Sequence, residues 1–285
     1  MGKFIKQAFT LIELLVVIAI IGILSGLIVV AMGGMTQKAT IAKAQVFSNS
    51  LRNTLMLNLV SEYRLDGDGS DSWGDNEGTV IGAASSTDCV NGSCYSFDGA
   101  NDYINVPNAD NLNIIGSLTI EAWVKLNSLT QTNQTIVAKS TSSSNGYWLF
   151  YNFSTTTNYK FDFFGVNNAD AYSIASPELN KWTHIVAIRD GTNIIYYING
   201  IFDVERVVGG TVNPISNNPL RIGARSDAVS FPFNGFIDNV RIYNAILPAF
   251  QIKENYYAGL NSLLANGNIN TSEYKERLNN SLASK

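Results

Sequence analysis

Residues 181–201 read KWTHIVAIRDGTNIIYYINGI. Two runs rich in β-branched and aromatic residues flank RDGTN, whose Asp-Gly pair is a strong short-range signal for a β-hairpin. The same texture extends on both sides. From about Leu65 onward, clusters of glycine, asparagine and serine separate SLTIEAWVKL (117–126), YWLFYNF (147–153), YKFDFFGV (159–166) and FIDNVRIYN (236–244). Repeated short strands with turn signals predict an all-β sandwich or barrel.

The flanks of this region differ. Before it, MTQKATIAKAQVFSNSLRNTLMLNLVSEYR places Phe47, Leu51, Leu55 and Leu59 every four residues, a helical period. After it, PAFQIKENYYAGLNSLLANGNINTSEYKERLNNSLASK predicts two short helices joined at ANGN. Asn270-Thr271-Ser272 forms the cap of the second, with Glu273 in its first turn.

Charge is divided unevenly. Residues 1–64 carry six basic and two acidic residues, and the rest of the 285-residue chain thirteen basic and twenty-one acidic. The acidic body argues against nucleic-acid binding, which needs a basic patch to neutralise phosphates. The two cysteines, Cys89 and Cys94 in DCVNGSC, can close a tight disulfide loop over Asn91-Gly92. The alternative, a metal pair, usually needs further Cys or His ligands nearby, and the sole histidine, His184, is distant in sequence. The disulfide is the expectation in an oxidising compartment.

Catalytic chemistry has little support. Glycoside hydrolysis needs two carboxylates flanking the scissile bond, whereas Glu121 stands alone in TIEAWV and Asp162 alone in KFDFFG. His184 lies in WTHIV, apolar on both faces, and is expected to be a buried, hydrogen-bonded core histidine. Asp66, Asp68, Ser70 and Glu77 fall at EF-hand offsets, but Asp71 stands where the loop requires glycine. The chain is read as a non-enzyme.

Several of the strand runs, in order, resemble laminin-G-like, concanavalin A-like domains: YRLDGDGSDSWGDNEGTVIG (63–82), YSFDGANDYINV (95–106), LTIEAWVKL, KWTHIVAIRDGTNIIYYINGI, LRIGAR (220–225) and FNGFIDNVRIYNAIL (233–247). The resemblance covers roughly residues 60–257 and implies a two-sheet jelly-roll sandwich. It also implies a sugar or protein-surface ligand and a structural Ca²⁺, held by Asp238 with Asp66 and Asp98 as lesser candidates where the first and last strands meet. Trp148, Tyr151, Tyr172 and Phe231 are the aromatic candidates for stacking on a ligand.

The N-terminus, KQAFTLIELLVVIAIIGIL, resembles type IV pilins and type II secretion pseudopilins, in which prepilin peptidase removes a short basic leader and the new N-terminus is methylated. Cleavage is implied between Ala8 and Phe9, with Phe9 the methylated residue; Ala8 stands where the family usually has glycine. Glu13, the fifth residue from Phe9, is the signature glutamate that pairs with the amine of a neighbouring subunit. The uncharged run Leu14–Met32, 19 residues, is long enough at about 28 Å to cross the hydrocarbon layer, with Lys3 and Lys6 holding the N-terminus cytoplasmic.

The implied organisation is a leader (1–8), a membrane and polymerisation helix (9–33), an amphipathic stalk helix (34–63), a sandwich (64–257) and a helical tail (258–285). The fold class is mainly β on a long N-terminal helix. The expected function is a pilin-like, minor subunit, anchored in the cytoplasmic membrane and displaying a lectin-like head that binds a glycan or surface protein. Its expected partners are other pilin-like subunits and prepilin peptidase. The alternatives are a pseudopilin of a secretion or DNA-uptake machine, and a membrane-tethered binding domain that never polymerises.

Overall fold

A computed structural model describes residues 15, 16, 18, 58–141, 145–152, 158–163, 171–191, 193–208, 217–226 and 230–283. Ala8, Phe9, Glu13, the stalk up to 57 and all but three residues of the apolar run lie outside the described residues; Leu15, Val16 and Ile18 are helical and exposed. Among the described residues no helix is long and apolar enough to cross a membrane.

Fourteen strands are described. They are β1 (Leu59–Tyr63), β2 (Thr79–Ile81), β3 (Ala84–Ser86), β4 (Cys94–Asp98), β5 (Tyr103–Val106), β6 (Leu118–Leu126) and β7 (Gln134–Ala138), then β8 (Tyr147–Asn152), β9 (Asn158–Phe163), β10 (Thr183–Asp190), β11 (Asn193–Ile198), β12 (Ile201–Val207), β13 (Leu220–Ile222) and β14 (Asn234–Tyr243). They form two antiparallel sheets. One has eight strands in the order β12-β11-β10-β6-β14-β4-β3, with β1 also paired to β14; the other has six in the order β2-β5-β13-β7-β8-β9. The RDGTN hairpin is present: Asp190 pairs with Asn193 across a turn in which Gly191 takes φ 58°, a conformation glycine adopts at no steric cost.

Side-chain alternation builds the core between the sheets. Leu118, Ile120, Ala122, Val124 and Leu126 of β6 point inward, as do Tyr147, Leu149 and Tyr151 of β8 and Ile185 and Ala187 of β10. All nine residues of β6 are nonetheless buried, because the outer face of the eight-stranded sheet is covered as well. Its cover is α1 (Ala249–Ala265) and α2 (Thr271–Ala283). Ile252 of α1 packs with Val186, Ile188 and Leu247, and Tyr256, Leu260 and Leu263 pack with Trp123, Trp182 and the Cys89–Cys94 loop. The approach is close at Gly259, where a Cβ would collide with the ring of Trp123.

Two expected boundaries are corrected. The stalk helix cannot run to 63, because Leu59–Tyr63 is β1, paired with Tyr243 through Val240 of β14. The four-residue spacing ends at Leu59, and pairing with a long neighbouring strand overrides local helical propensity. The boundary expected between 257 and 258 falls inside α1, which begins after Pro248. The two tail helices are as expected: Asn270 Oδ1 accepts the amide of Glu273, 2.9 Å away, at the start of α2.

Candidate functional site

The outer face of the six-stranded sheet gathers flat and charged side chains. Strand alternation turns Trp148 and Phe150 of β8 outward. Their rings stack with centroids 3.8 Å apart, and Phe231 tilts over Trp148 at 5.2 Å. The Arg225 guanidinium lies 4.7 Å from the Phe231 ring and 5.3 Å from that of Trp148. Trp148 is 6% exposed, and its Nε1 donates to Thr135 Oγ1 at 3.0 Å. On β9, Lys160 Nζ lies 5.0 Å from the ring of Tyr172, and Asp162 stands opposite Trp148 in register. Farther along, Arg221 Cζ lies 4.2 Å over Tyr103, and Arg221 Nη1 donates to the Arg225 carbonyl at 3.1 Å.

Two further features distinguish this face. Asp162 is buried with Lys160 Nζ 3.1 Å from its Oδ1. Burial pushes its carboxyl up to about 6, against the lowering exerted by Lys160. Phe231 takes φ 55°, unusual for a bulky residue and a form of strain of about 1–3 kcal/mol that concentrates at ligand clamps and active sites. Aromatic rings, guanidinium donors and a carboxylate acceptor thus lie together, with Trp148, Phe150 and Asp162 buried and Phe231 and Arg225 half-buried.

Of the four aromatic candidates, Trp148 and Phe231 meet here, and Tyr172 lies beside them through Lys160. Tyr151 does not. It is 1% exposed in the inter-sheet core, with its hydroxyl donating to the Leu129 carbonyl at 2.9 Å. The period of two in YWLFYN places 148 and 150 on one face and 147, 149 and 151 on the other. That signal identifies Phe150 and excludes Tyr151. Arg225 and Arg221 had no local sequence signal.

Of the three carboxylates expected to share a rim site, Asp238 and Asp66 both meet the disulfide loop and Asp98 does not. Cys89 and Cys94 are disulfide-bonded, Cα–Cα 5.5 Å. Asp238 is buried against that loop, its Oδ2 accepting the amides of Val90 (2.9 Å) and Asn91 (3.1 Å) and its Oδ1 accepting Asn239 Nδ2 (3.0 Å). Burial pushes it up to about 7, the amides of Asn91 and Val90 oppose this, and the charge of Asp66 adds to the rise. Asp66 Oδ1 accepts the amide of Ser93 at 2.9 Å, so both carboxylates hold the disulfide loop. Asp98 instead closes its own turn, accepting the amide of Ala100 at 2.7 Å. Asp71 caps the 71–76 turn through the amides of Trp73, Gly74 and Asn76. Among the described residues no group of three His, Cys, Asp or Glu side chains is placed to hold a metal ion.

Glu121 is the one carboxylate on β6 and the centre of a buried polar network. Its Oε1 lies 2.8 Å from His184 Nε2 and 3.7 Å from Arg241 Nη1, and its Oε2 accepts Asn255 Nδ2 at 2.9 Å and the Tyr243 hydroxyl at 3.3 Å. Burial opposes its ionisation, yet His184, Arg241 and Asn255 hold it below the ordinary carboxylate range. Both Glu121 and His184 are fully buried beneath α1, so neither meets a substrate. His184 is the buried, hydrogen-bonded histidine that WTHIV predicts.

These features agree with comparisons to known proteins. Residues 98–253 match the concanavalin A-like lectin/glucanases superfamily, and the chain belongs to it. Residues 4–29 match the prokaryotic N-terminal methylation motif, the pilin-type segment. No curated protein matches the chain significantly. Among solved structures, domain 4 of an extracellular arabinanase from Geobacillus stearothermophilus, bound to arabinotriose, is 22% identical, with TM-score 0.55 over 69% of this chain and 97% of that one. A Trypanosoma rangeli sialidase is 19% identical, with TM-score 0.52 over 70% of this chain; the match spans about a third of the sialidase, 32%. A botulinum neurotoxin type C structure is 14% identical, with TM-score 0.55 over 73% of this chain and 53% of that one. At these identities the likeness is one of fold.

Proposed function

We propose that the chain is a pilin-like, minor subunit whose sandwich is a carbohydrate-binding head, with its ligand on the outer face of the six-stranded sheet. The observation that carries this reading is the cluster of Trp148, Phe150, Phe231 and Arg225 beside the buried carboxylate of Asp162. Sugar rings stack on aromatic faces, and their hydroxyls accept from a guanidinium and donate to a carboxylate. A binding rather than hydrolytic role is supported by the burial of Glu121 and His184. The test is titration of the full chain in detergent with arabinotriose, xylotriose and maltotriose. Phe231→Ala and Arg225→Ala should each weaken binding about tenfold, roughly 1.4 kcal/mol, with the melting temperature retained. Unchanged affinity in both rejects this face.

The pilin motif supports the remainder of the reading. Prepilin peptidase removes residues 1–8, Phe9 becomes the methylated N-terminus, and the head is displayed outside the cytoplasmic membrane, where the disulfide is stable. Glu13 then pairs with the amine of a neighbouring subunit, since a carboxylate at the hydrocarbon edge is costly without a partner. Glu13→Gln should leave membrane insertion intact and abolish incorporation into filaments, read by shearing and immunoblotting. Normal incorporation would reduce the chain to a tethered binding domain.

A further inference from the structure

Lys139 is a buried nucleophile that neither outer face of the sandwich uses. It follows β7 directly, and it is fully buried. Lysines are almost never buried to this degree unless paired, and two of the oxygens that receive this ammonium are neutral. Nζ donates to Asn108 Oδ1 at 2.6 Å and to the Asn218 carbonyl at 3.0 Å. Asn108 lies just past the end of β5, and Asn218 just before β13. The lysine therefore reaches across β13, whose Arg221 pairs with Ala138 of β7 on one side and with Asn105 of β5 on the other.

A buried amine against an amide carbonyl is a nucleophile held beside an electrophile. With a C=O bond of about 1.2 Å, Cγ of Asn108 lies within about 3.8 Å of Nζ. That is close to the roughly 3–3.5 Å of a near-attack arrangement. Burial lowers the amine from its ordinary 10.5 to about 8, opposed by the charge of Asp110. The unprotonated, nucleophilic form is therefore accessible near neutral pH. Asp110 opens the single 3-10 turn Asp110–Leu112, and its charge reaches the amine. Such a carboxylate can take a proton from Nζ and return it to the leaving amide. Burial of Lys139 keeps water from its side of the amide, which favours attack by the amine over hydrolysis. Asn108 is exposed, which gives released ammonia a way out.

We propose that Lys139 and Asn108 condense into an intramolecular isopeptide bond, a covalent staple from β7 to β5 across β13. Nζ attacks Cγ of Asn108; the Nζ–Cγ bond forms and the Cγ–Nδ2 bond breaks. The proton lost by Nζ passes through Asp110 to Nδ2, and ammonia leaves. No oxidant or further reactant is consumed, and neither a ligand nor filament assembly is required. The test is tryptic mapping by mass spectrometry of the full chain, purified in detergent and incubated at mildly alkaline pH. A branched peptide should join residues 65–125 to 126–160, lighter by one ammonia than the two together and uncut at Lys139. Lys139→Arg and Asn108→Ala should each abolish it. Asp110→Asn, which keeps the shape and removes the base, should slow its formation about tenfold or more. A wild-type digest with only the unbranched peptides overturns the proposal and leaves the pair as a hydrogen bond. Loss of ammonia from peptide 65–125 without the branch, the mark of a succinimide at an asparagine, overturns it as well.

Discussion

The two outer faces of the sandwich begin from the same strand alternation and end differently. On the eight-stranded sheet, Glu121, Trp123 and Lys125 of β6 and His184, Val186 and Ile188 of β10 point away from the core, and α1, α2 and the disulfide loop cover them. On the six-stranded sheet, Trp148, Phe150, Lys160 and Asp162 point outward, no described helix lies over them, and the rings shield one another. Beneath the helices a charged group has several partners: Glu121 alone engages His184, Arg241, Asn255 and Tyr243. On the other face the buried carboxylate of Asp162 has one cation, and that off hydrogen-bonding geometry. A carboxylate with both oxygens engaged serves stability, whereas one with an open acceptor retains bonding capacity for a ligand.

The largest effect expected from this difference is on stability. Glu121→Ala removes the common acceptor of a buried network and leaves Arg241 without one of its two carboxylates, Glu62 being the other at 2.7 Å. Breaking a buried ion pair on one side costs about 3–5 kcal/mol. Asp162→Asn, which removes a carboxylate that burial already disfavours, should cost under about 1 kcal/mol. Urea denaturation of the two variants measures both. Equal losses would erase the distinction between the faces.

The disulfide loop is part of the covered face, and its removal should have the next largest effect. A loop this short constrains the unfolded chain modestly, about 2 kcal/mol. Cys89→Ser with Cys94→Ser should lower stability by that amount in the same measurement. Asn266 and Asn268 donate to the carbonyls of Val90 and Cys89 at 3.2 and 2.6 Å, so the loop also seats the α1–α2 turn. Increased proteolysis of residues 266–270 in the double variant would sharpen the assignment, and unchanged cleavage there would confine the loop's role to chain entropy.

The pH dependence of the two faces should differ in sign. Asp162 has an ordinary value of 3.8 and sits at about 6 in the folded protein, so the folded state holds its proton more tightly. Its contribution is complete below pH 3.8 and is lost as pH rises through 6. Glu121 is lowered in the folded state, so its contribution is present above its ordinary value of 4.5 and is lost as pH falls. Between pH 4 and 6.5, Asp162→Asn should therefore steepen the gain in stability with rising pH, and Glu121→Gln should flatten it. The same direction in both variants would contradict the burial argument for Asp162.

How far the sequence reading reached depends on the range of the interactions. The 181–201 hairpin, the strand runs, the cap at Asn270 and the Cys89–Cys94 pair are local patterns, and each appears where the sequence places it. Tyr151 was misplaced although strand parity was available. The rest was not local. The partners of Glu121 lie 63 to 134 residues away, and Arg241 meets Glu62 across 179. No window of sequence contains such a pair, and β1 likewise takes its identity from β14 rather than from the helical spacing that precedes it.

The smallest expected effect concerns calcium. The family resemblance implies a Ca²⁺ held by Asp238, with Asp66 and Asp98 as lesser candidates, where the first and last strands meet. In the fold, Asp238 accepts two backbone amides and a side-chain amide, Asp66 accepts the amide of Ser93, and Asp98 accepts that of Ala100. Ca²⁺ needs six to eight oxygens, and to recruit Asp238 it would have to displace donors that anchor the disulfide loop. Melting the full chain in detergent with calcium and then with chelator should give temperatures within about 2 °C, the shift of less than 1 kcal/mol in a domain of this size. A larger fall on chelation, abolished by Asp238→Ala, would mean that a cation holds the loop and that the amides of Val90 and Asn91 yield to it.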